Sequence, residues 1–385
     1  MKIAFFSNYL THHQIPFCEE MGKLPGVEFT FVSTMEMEED RKTGGWAFEK
    51  EYAYEVKAWL SEETHQKAMA LAAQCDVMIV GSAPEVYVKH RMANNPNPLT
   101  LRYSERIYKG GRWRVLSPRG AIIRLQTYFR YLGKPLYMLC ASAYTAGDLA
   151  MLGSYLGRCF RWGYFPETKV YDDVTSLMAA KKENSILWVA RMIPLKHPEI
   201  VLEVARRLKE EGYDFQLNLI GTGPMEDCLQ KQIAACELSE QVHLLGTMTP
   251  EQVRRYMEES KIYLFTSDQK EGWGAVLNES MNSGCAVVAD GRIGSVPFLI
   301  QDRTNGYSYN GLDELYARVK KLLDEPETAR KMGTAAYKTI TEKWCAREAA
   351  KRLYTLCKNL QKGKKIFEAD GPCSKAPVRI KKRRK

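Results

Sequence analysis

Two glutamates in the second half of the chain lie at a spacing that could grip one elongated ligand. Glu271 and Glu279 are separated by seven residues and bracket the segment Gly272-Trp273-Gly274. If most of this interval is helical, the carboxylates lie about 10 Å apart along the helix axis. Such a pair could hold sugar hydroxyls at one end and ribose hydroxyls at the other, and the glycines would let backbone approach a diphosphate between them. The alternative is an amphipathic helix whose two glutamates face water.

Two cations come before this segment, directly after a predicted strand. The strand ends near Ala190, Arg191 and Lys196 follow, and Pro198 opens a helix. Because ligands of open α/β sheets bind at the carboxyl ends of strands, Arg191 could chelate phosphate oxygens and Lys196 could add a positive charge beside a leaving diphosphate. The alternative is a solvated loop with two ordinary cations.

A glycine turn follows the next predicted strand. Gly221 and Gly223 begin a pattern typical of dinucleotide binding, but Glu226 occupies the position of the third glycine and Pro224 lacks an N–H. The pattern therefore does not favour an NAD-dependent oxidoreductase. It predicts a turn that lets a nucleotide lie close to backbone, or a tight strand-to-helix turn without a ligand.

The composition indicates a folded protein of about two domains. The chain has 385 residues, of which 45% are apolar and 26% charged, which excludes a disordered, collagen-like or coiled-coil protein. It has neither the apolar run of a membrane helix nor the apolar region of a secretory signal at its start, so we expect a cytoplasmic protein. Ten cysteines without a Cys-x-x-Cys pair predict neither a zinc site nor a disulfide framework.

Short β-rich runs alternate with helical periodicity, which predicts an α/β fold with parallel sheets. Five strands are predicted between Ile3 and Cys140, and five more between Ser185 and Ala289. Gly163 and Pro166 interrupt any regular element between the two groups, so we place a hinge there. The predicted organisation is an N-terminal domain over 1–164, a second domain over 165–336, a closing helix over 337–360 and a flexible basic tail over 361–385.

The positive charge is concentrated in the tail. The formal net charge is +10, and residues 361–385 contain ten Lys or Arg against Glu368 and Asp370. A nearly neutral body with a basic tail argues against a nucleic-acid-binding surface. The alternatives are a tether to anionic lipid and a plain solvated end.

From about Ser185 to Gly306 these motifs closely resemble those of family-four retaining glycosyltransferases of the GT-B fold, the group that includes bacterial surface-polysaccharide transferases. The resemblance is carried by the arginine with a lysine five residues on, the glycine turn, the glutamate pair, Gly294-Ser295-Val296-Pro297 and Asn305-Gly306. It implies two Rossmann-like domains facing across a cleft, with the closing helix crossing back to the N-terminal domain. It also implies that Arg191 and Lys196 bind the donor diphosphate, Glu271 the donor sugar and Glu279 the ribose, without a metal or another cofactor.

The resemblance further implies retaining transfer of a sugar from a nucleoside diphosphate sugar, with uridine favoured, to a glycan or lipid-linked saccharide. The N-terminal half would bind this acceptor, with His12, His13 and Glu105 as candidate contacts. A lipid-linked acceptor would suit peripheral attachment to the inner membrane face. Two alternatives stay open: a nucleotide-sugar epimerase or phosphorylase-like enzyme, and a non-catalytic membrane-associated scaffold.

Overall fold

The computed structural model describes residues 1–38, 50–111, 115 and 117–379, which form two compact units. The first unit comprises Met1–Glu167 and Cys345–Lys385, and the second comprises Thr168–Trp344. Each unit is a parallel sheet with helices packed around it, so the predicted α/β class is confirmed.

The first unit is built on a parallel sheet of seven strands in the order β3-β2-β1-β4-β5-β6-β7. Its elements are β1 (Lys2–Ser7), α1 (Ile15–Gly22), β2 (Glu28–Ser33), β3 (Glu55–Lys57), α2 (Glu62–Gln74), β4 (Val77–Val80), α3 (Glu85–Asn94), β5 (Leu99–Ser104), α4 (Pro118–Thr127), β6 (Leu136–Cys140), α5 (Thr145–Ala150) and β7 (Cys159–Arg161). In register, Phe5 of β1 lies opposite Phe31 of β2 on one side and Ile79 of β4 on the other. The strand order therefore reverses between β1 and β4.

The second unit is built on a parallel sheet of six strands in the order β10-β9-β8-β11-β12-β13. Its elements are α6 (Val174–Ala179), β8 (Lys182–Val189), α7 (Pro198–Glu210), β9 (Gln216–Ile220), α8 (Glu226–Ala235), β10 (Val242–Leu244), α9 (Pro250–Glu259), β11 (Ser260–Phe265), α10 (Val276–Asn282), β12 (Ala286–Asp290), α11 (Val296–Leu299), β13 (Tyr307–Tyr309), α12 (Leu312–Asp324) and α13 (Pro326–Lys338). The strand order reverses between β8 and β11, which is where ligands of such sheets bind.

The closing helix begins later than predicted. Tyr337 is buried near the end of α13, a π-helical turn follows over Thr339–Lys343, and Cys345 has extended backbone. The helix α14 then runs over Ala346–Gln361 and packs against α1 within the first unit. The apolar residues keep a helical spacing across the π-helical turn. The end of α13 and the whole of α14 therefore have the sequence pattern of a single helix.

The prediction of a flexible tail is wrong for residues 361–379. The N–H of Arg161 donates to Ser374 O at 2.8 Å, and the N–H of Cys373 donates to Arg161 O at 2.8 Å, so this segment pairs with β7 in antiparallel orientation. Cys373 and Ser374 are buried. The physical reason is that β7 is the edge of its sheet and offers unpaired backbone groups. The cluster Lys381–Lys385 lies outside the described residues.

Candidate functional site

The second unit brings a predicted cation and a predicted glutamate together where its strand order reverses. Lys196 follows β8 and Glu271 follows β11, and the ammonium group of Lys196 pairs with a carboxylate oxygen of Glu271. Their side chains are 16% and 14% exposed, so the pair is shielded from bulk water yet still reachable. A cation beside a carboxylate at this edge can bind phosphate and hydroxyl groups of one ligand.

The loop that carries Lys196 is held in place by hydrogen bonds from the segment that follows β11. The Thr266 hydroxyl donates to Lys196 O at 2.6 Å, and the buried indole N–H of Trp188 donates to that hydroxyl at 2.9 Å. The N–H of Asp268 donates to Leu195 O at 3.0 Å. The loop of Lys196 and the loop of Glu271 are thus fixed to each other by hydrogen bonds other than the ion pair itself. These hydrogen bonds pre-organise the site.

Arg191 lies at the start of the same loop and differs from Lys196 in its surroundings. Its side chain is exposed, and its guanidinium has no hydrogen bond or ion pair with any residue that the structure describes. A guanidinium that is not engaged by a carboxylate retains all its donors for a planar anion such as phosphate.

Glu279 lies in the first turn of α10 and is partly buried. Burial raises the pKa of its carboxyl group, against the opposing effect of the nearby Arg254 guanidinium. Burial also raises the pKa of Tyr263 well above its usual range, and the charges of Glu279 and Glu271 add to this effect. Both predicted glutamates therefore lie near one buried ring, that of Tyr263, whose hydroxyl donates to Val189 O at 3.3 Å.

Replacing Glu279 by glutamine is expected to raise the thermal stability of the protein at pH 7. Because the pKa of Glu279 is higher in the folded than in the unfolded chain, its ionised form costs folding free energy above that pKa, and the cost disappears as pH falls toward the unfolded value. The melting temperatures of Glu279→Gln and of the parent protein should therefore differ at pH 7 and converge as the pH is lowered to 4. Glu327→Gln, on an exposed side chain of α13, is the matched control. A lower melting temperature for Glu279→Gln at pH 7 would contradict the assignment.

The glycine turn has a packing role that the sequence did not reveal. A Cβ on Gly221 would lie 2.0 Å from Ala190 O, and one on Gly223 would lie 2.5 Å from Met192 O. The N–H of Met192 also donates to Thr222 O at 2.8 Å. The two glycines thus let the loop after β9 press against the loop that carries Arg191, and this contact accounts for both of them.

The segment Gly272-Trp273-Gly274 is fixed by the side chain of Trp273. The side chain of Trp273 is fully buried, donates its indole N–H to Asn278 at 2.8 Å and packs against Phe298 and Trp344. Gly272 is buried as well, and Gly274 has φ +78 with Phe265 2.3 Å from an ideal Cβ. The ring of Trp273 therefore anchors the loop of Glu271 to the core, and the donor contact predicted for the backbone of Gly272, Trp273 and Gly274 stays a prediction.

His197, for which the sequence favours a position on the phosphate side, forms a polar group beside the ion pair together with Asp268, which no motif indicated. His197 has left-handed backbone (φ +51), its Nδ1 is 2.8 Å from Glu199, and its Nε2 is 3.6 Å from Asp268. Backbone hydrogen bonds connect Asp268 to the loop of Lys196 and to the loop of Glu271. Its N–H donates to Leu195 O, as described above, and its carbonyl accepts from the N–H of Glu271 at 3.1 Å. The available signal was the position of Asp268 three residues before Glu271.

In the first unit, Tyr164 links two of the residues predicted to bind the acceptor, Glu105 and His13. Tyr164 donates its hydroxyl to Glu105 at 2.6 Å and stacks on the His13 ring with centroids 5.9 Å apart. The other carboxylate oxygen of Glu105 accepts from Lys109 at 2.5 Å. In the sequence Tyr164 stands within the predicted hinge segment, and an aromatic residue between Gly163 and Pro166 was a usable signal.

His12 and His13 lie between β1 and α1, with ring centroids 3.8 Å apart. His12 is exposed, whereas burial and the neighbouring His12 lower the pKa of His13 to about 3. His13 is therefore neutral at physiological pH and can accept or donate one hydrogen bond through each ring nitrogen.

Two features are absent from the described part of the chain, a cluster of metal ligands and a membrane-spanning helix. Within it, no three His, Cys, Asp or Glu side chains are grouped so that they could hold a metal ion. No helix there combines the length and apolar character required to cross a bilayer. The prediction of a metal-free donor site stays a prediction.

Residues 173–339 match the family described as glycosyl transferases group 1. The chain is 34% identical over 127 residues to the amylovoran biosynthesis glycosyltransferase AmsK of Erwinia amylovora, covering 32% of this chain and 31% of the relative. It is 30% identical over 166 residues to the poly(ribitol-phosphate) alpha-N-acetylglucosaminyltransferase of Staphylococcus aureus, covering 42% and 33%. The chain thus spans about a third of the length of these curated relatives.

Solved structures share the fold along nearly the whole chain. Anabaena HepE in complex with UDP and glucose superimposes with a TM-score of 0.63 at 12% identity, covering 93% of this chain and all of that one. Sucrose-phosphate synthase from Thermosynechococcus elongatus gives 0.64 at 16% identity, covering 94% and all of that chain. The predicted GT-B fold is confirmed by these structures, and the match of residues 173–339 confirms the resemblance to glycosyl transferases of group 1.

Proposed function

We propose that this chain, whose residues 173–339 form a glycosyl transferases group 1 domain, transfers a sugar from a nucleoside diphosphate sugar to a saccharide acceptor in glycoconjugate synthesis. The observation that carries the proposal is the Lys196–Glu271 pair at the point where the strand order of the second unit reverses. A cation that can bind phosphate and a carboxylate that can accept from hydroxyls lie side by side there, which supports binding of such a donor.

The donor would be held at both ends. Arg191 and Lys196 bind the diphosphate, Glu271 accepts hydrogen bonds from the sugar, and Glu279 accepts them from the ribose. Uridine is the preferred base in this proposal, since HepE of the same fold was solved with UDP. Arg191 and Lys196 are the cations assigned to the diphosphate, and in this proposal the reaction needs neither a metal nor a cofactor.

The proposed chemistry retains the configuration of the sugar. The bond between the anomeric carbon and the diphosphate oxygen breaks, and the acceptor oxygen bonds to the same face of an oxocarbenium-like sugar. Arg191 and Lys196 stabilise the charge that gathers on the leaving diphosphate, which itself takes the acceptor proton.

The acceptor is assigned to the first unit, where Glu105, Tyr164 and His13 form one polar chain. A carboxylate, a phenol and a neutral imidazole are groups that recognise sugar hydroxyls. We propose a glycan or lipid-linked saccharide as the acceptor, because the two curated relatives named above are transferases of glycoconjugate synthesis.

The remaining alternatives differ in what they predict for turnover. An epimerase or phosphorylase-like enzyme would convert a nucleotide sugar without a saccharide acceptor. A non-catalytic scaffold would not convert it at all. Incubating the protein with UDP-sugars, with and without a pooled glycan acceptor, separates both from a transferase, which turns over rapidly only when the acceptor is present.

Replacing Arg191 by alanine is expected to weaken UDP binding about 30-fold, equivalent to about 2 kcal/mol for a charge-assisted contact. The measurement is a calorimetric titration in buffer containing EDTA, so that only the cations of the protein contribute. Arg255→Ala is the matched control, because Arg255 is an exposed arginine on α9 outside the proposed site. UDP affinity of Arg191→Ala within threefold of the parent would contradict the phosphate assignment.

A further inference from the structure

The last described residues of the chain cross the edge of the first unit's sheet. Residues 364–379 follow α14, and we call them the C-terminal strap. Besides the pairing of Cys373 and Ser374 with β7, the N–H of Ala376 donates to Cys159 O at 3.0 Å. Strand β7 has three residues and pairs with β6 on its other side, so the C-terminal strap supplies its second neighbour. A strand this short at a sheet edge is held more firmly when both of its sides are paired.

Side chains fasten the C-terminal strap to both ends of β7. A guanidinium nitrogen of Arg161, the last residue of β7, lies 2.6 Å from a carboxylate oxygen of Asp370. The ammonium group of Lys375 donates to Gly157 O, shortly before β7, at 2.6 Å and lies 4.3 Å from the centre of the Phe160 ring. Backbone, ionic and cation–π contacts thus hold the C-terminal strap on this edge.

Strand β7 leads directly into the segment that carries Tyr164. The backbone of Arg161 bonds to the C-terminal strap through both its N–H and its carbonyl, and Tyr164 follows three residues later. Between them, Trp162 is buried and its ring packs on Phe17 with centroids 5.3 Å apart. Residues 162–167 form neither helix nor strand, so their position depends on the anchors at Arg161 and Trp162.

We propose, on the basis of the acceptor site assigned in the proposed function, that the C-terminal strap positions this site through β7 and Tyr164. The Tyr164 hydroxyl donates to Glu105 at 2.6 Å while its ring stacks on His13, so both contacts depend on where the segment after β7 lies. Because hydrogen bonds weaken steeply with misalignment, a shift of about 1 Å in this segment would weaken acceptor binding. A C-terminal strap that only covers the sheet edge would affect stability and leave acceptor recognition unchanged.

The test replaces Ser374 by arginine in the full chain. Ser374 is buried, and a buried position cannot hold an unpaired guanidinium, so the C-terminal strap should leave β7. We expect the apparent KM for the pooled glycan acceptor to rise at least about tenfold, while kcat at saturating acceptor and UDP affinity stay within about threefold of the parent. Val378→Arg is the matched control, because Val378 is 57% exposed on the same segment and the variant adds the same charge. It should behave as the parent does.

Titration of His13 reports the same displacement without any substrate. The His13 ring stacks on Tyr164, and burial and the neighbouring His12 lower its pKa to about 3. When Tyr164 moves away, the ring gains contact with water, so in Ser374→Arg the pKa of His13 should rise by at least about one unit toward its ordinary value. The measurement is an NMR titration of the histidine ring signals, in which His13→Gln identifies the signal of His13. Val378→Arg should titrate as the parent does.

A second variant, Asp370→Ala/Lys375→Ala, loosens the C-terminal strap without placing a charge in the core. It removes the ion pair with Arg161 and the contact with the Phe160 ring, and both replaced side chains are exposed. The acceptor KM and the histidine titration should therefore move in the same direction as in Ser374→Arg, by smaller amounts. This variant decides the question if Ser374→Arg does not fold.

The outcomes separate this proposal from the proposed function. An unchanged acceptor KM or an unchanged titration of His13 in the folded variants would overturn the positioning role of the C-terminal strap. Equal losses of acceptor and UDP affinity would overturn it too, because they indicate a role in stability alone. A parent protein without acceptor-dependent turnover would contradict the proposed function, and the titration of His13 would still decide whether the C-terminal strap positions Tyr164.

Discussion

Replacing Glu271 by glutamine should lower the rate of sugar transfer at least about 100-fold while leaving UDP affinity within about threefold of the parent. The carboxylate is assigned to the donor sugar, and a charged acceptor aimed at a reacting sugar contributes chiefly in the transition state. Glutamine preserves the shape of the side chain and removes its charge, so the loop anchored by Trp273 should keep its position.

The assay measures initial rates over a range of donor concentrations, together with calorimetric titration of UDP. Glu327→Gln is the matched control, as in the pH experiment, and should match the parent in both measurements. The companion Glu279→Gln should show the opposite pattern, with UDP affinity lowered more than the rate at saturating donor. Equal loss of UDP affinity in Glu271→Gln and Glu279→Gln would contradict the separate sugar and ribose roles.

The second large effect is expected from Lys181, a buried lysine that no motif indicated. Its ammonium group donates to Met257 O at 3.0 Å, Ser260 O at 2.8 Å and Ser283 O at 2.9 Å. These carbonyls lie near the end of α9, at the start of β11 and just after α10, the helix that carries Glu279. Burial lowers the pKa of Lys181, but its carbonyl partners satisfy the donors of the charged form.

Lys181→Met should therefore destabilise the protein by about 3 kcal/mol or more, because it leaves several buried carbonyls without a donor. Lys182→Met is a close control: the neighbouring side chain is 70% exposed, and its ion pair with Glu259 should contribute at most about 1 kcal/mol. Urea unfolding followed by circular dichroism measures both. If Lys181→Met lowers the free energy of unfolding no more than Lys182→Met does, the contacts of Lys181 with backbone carbonyls do not stabilise the second unit.

The α/β class and the two parallel sheets followed from the sequence, because buried parallel strands are nearly continuous apolar runs and the linking helices repeat at 3.6 residues. The strands β3, β7 and β13, of three residues each, escaped prediction. The tail that pairs with β7 escaped it for another reason. Pairing with a sheet edge uses backbone groups, which leave no signature in side-chain types.

For the site, the sequence by itself determined which residue types stand after β8 and β11, and hence that a cation and a carboxylate are available at that sheet edge. The tertiary structure alone decided that Lys196 pairs with Glu271, that Trp273 turns into the core, and that Glu279 is buried enough for its pKa to rise. Such outcomes depend on distances between segments remote in the chain. Local periodicity reports only which face a side chain takes on its own element, so contacts between elements require the packed structure.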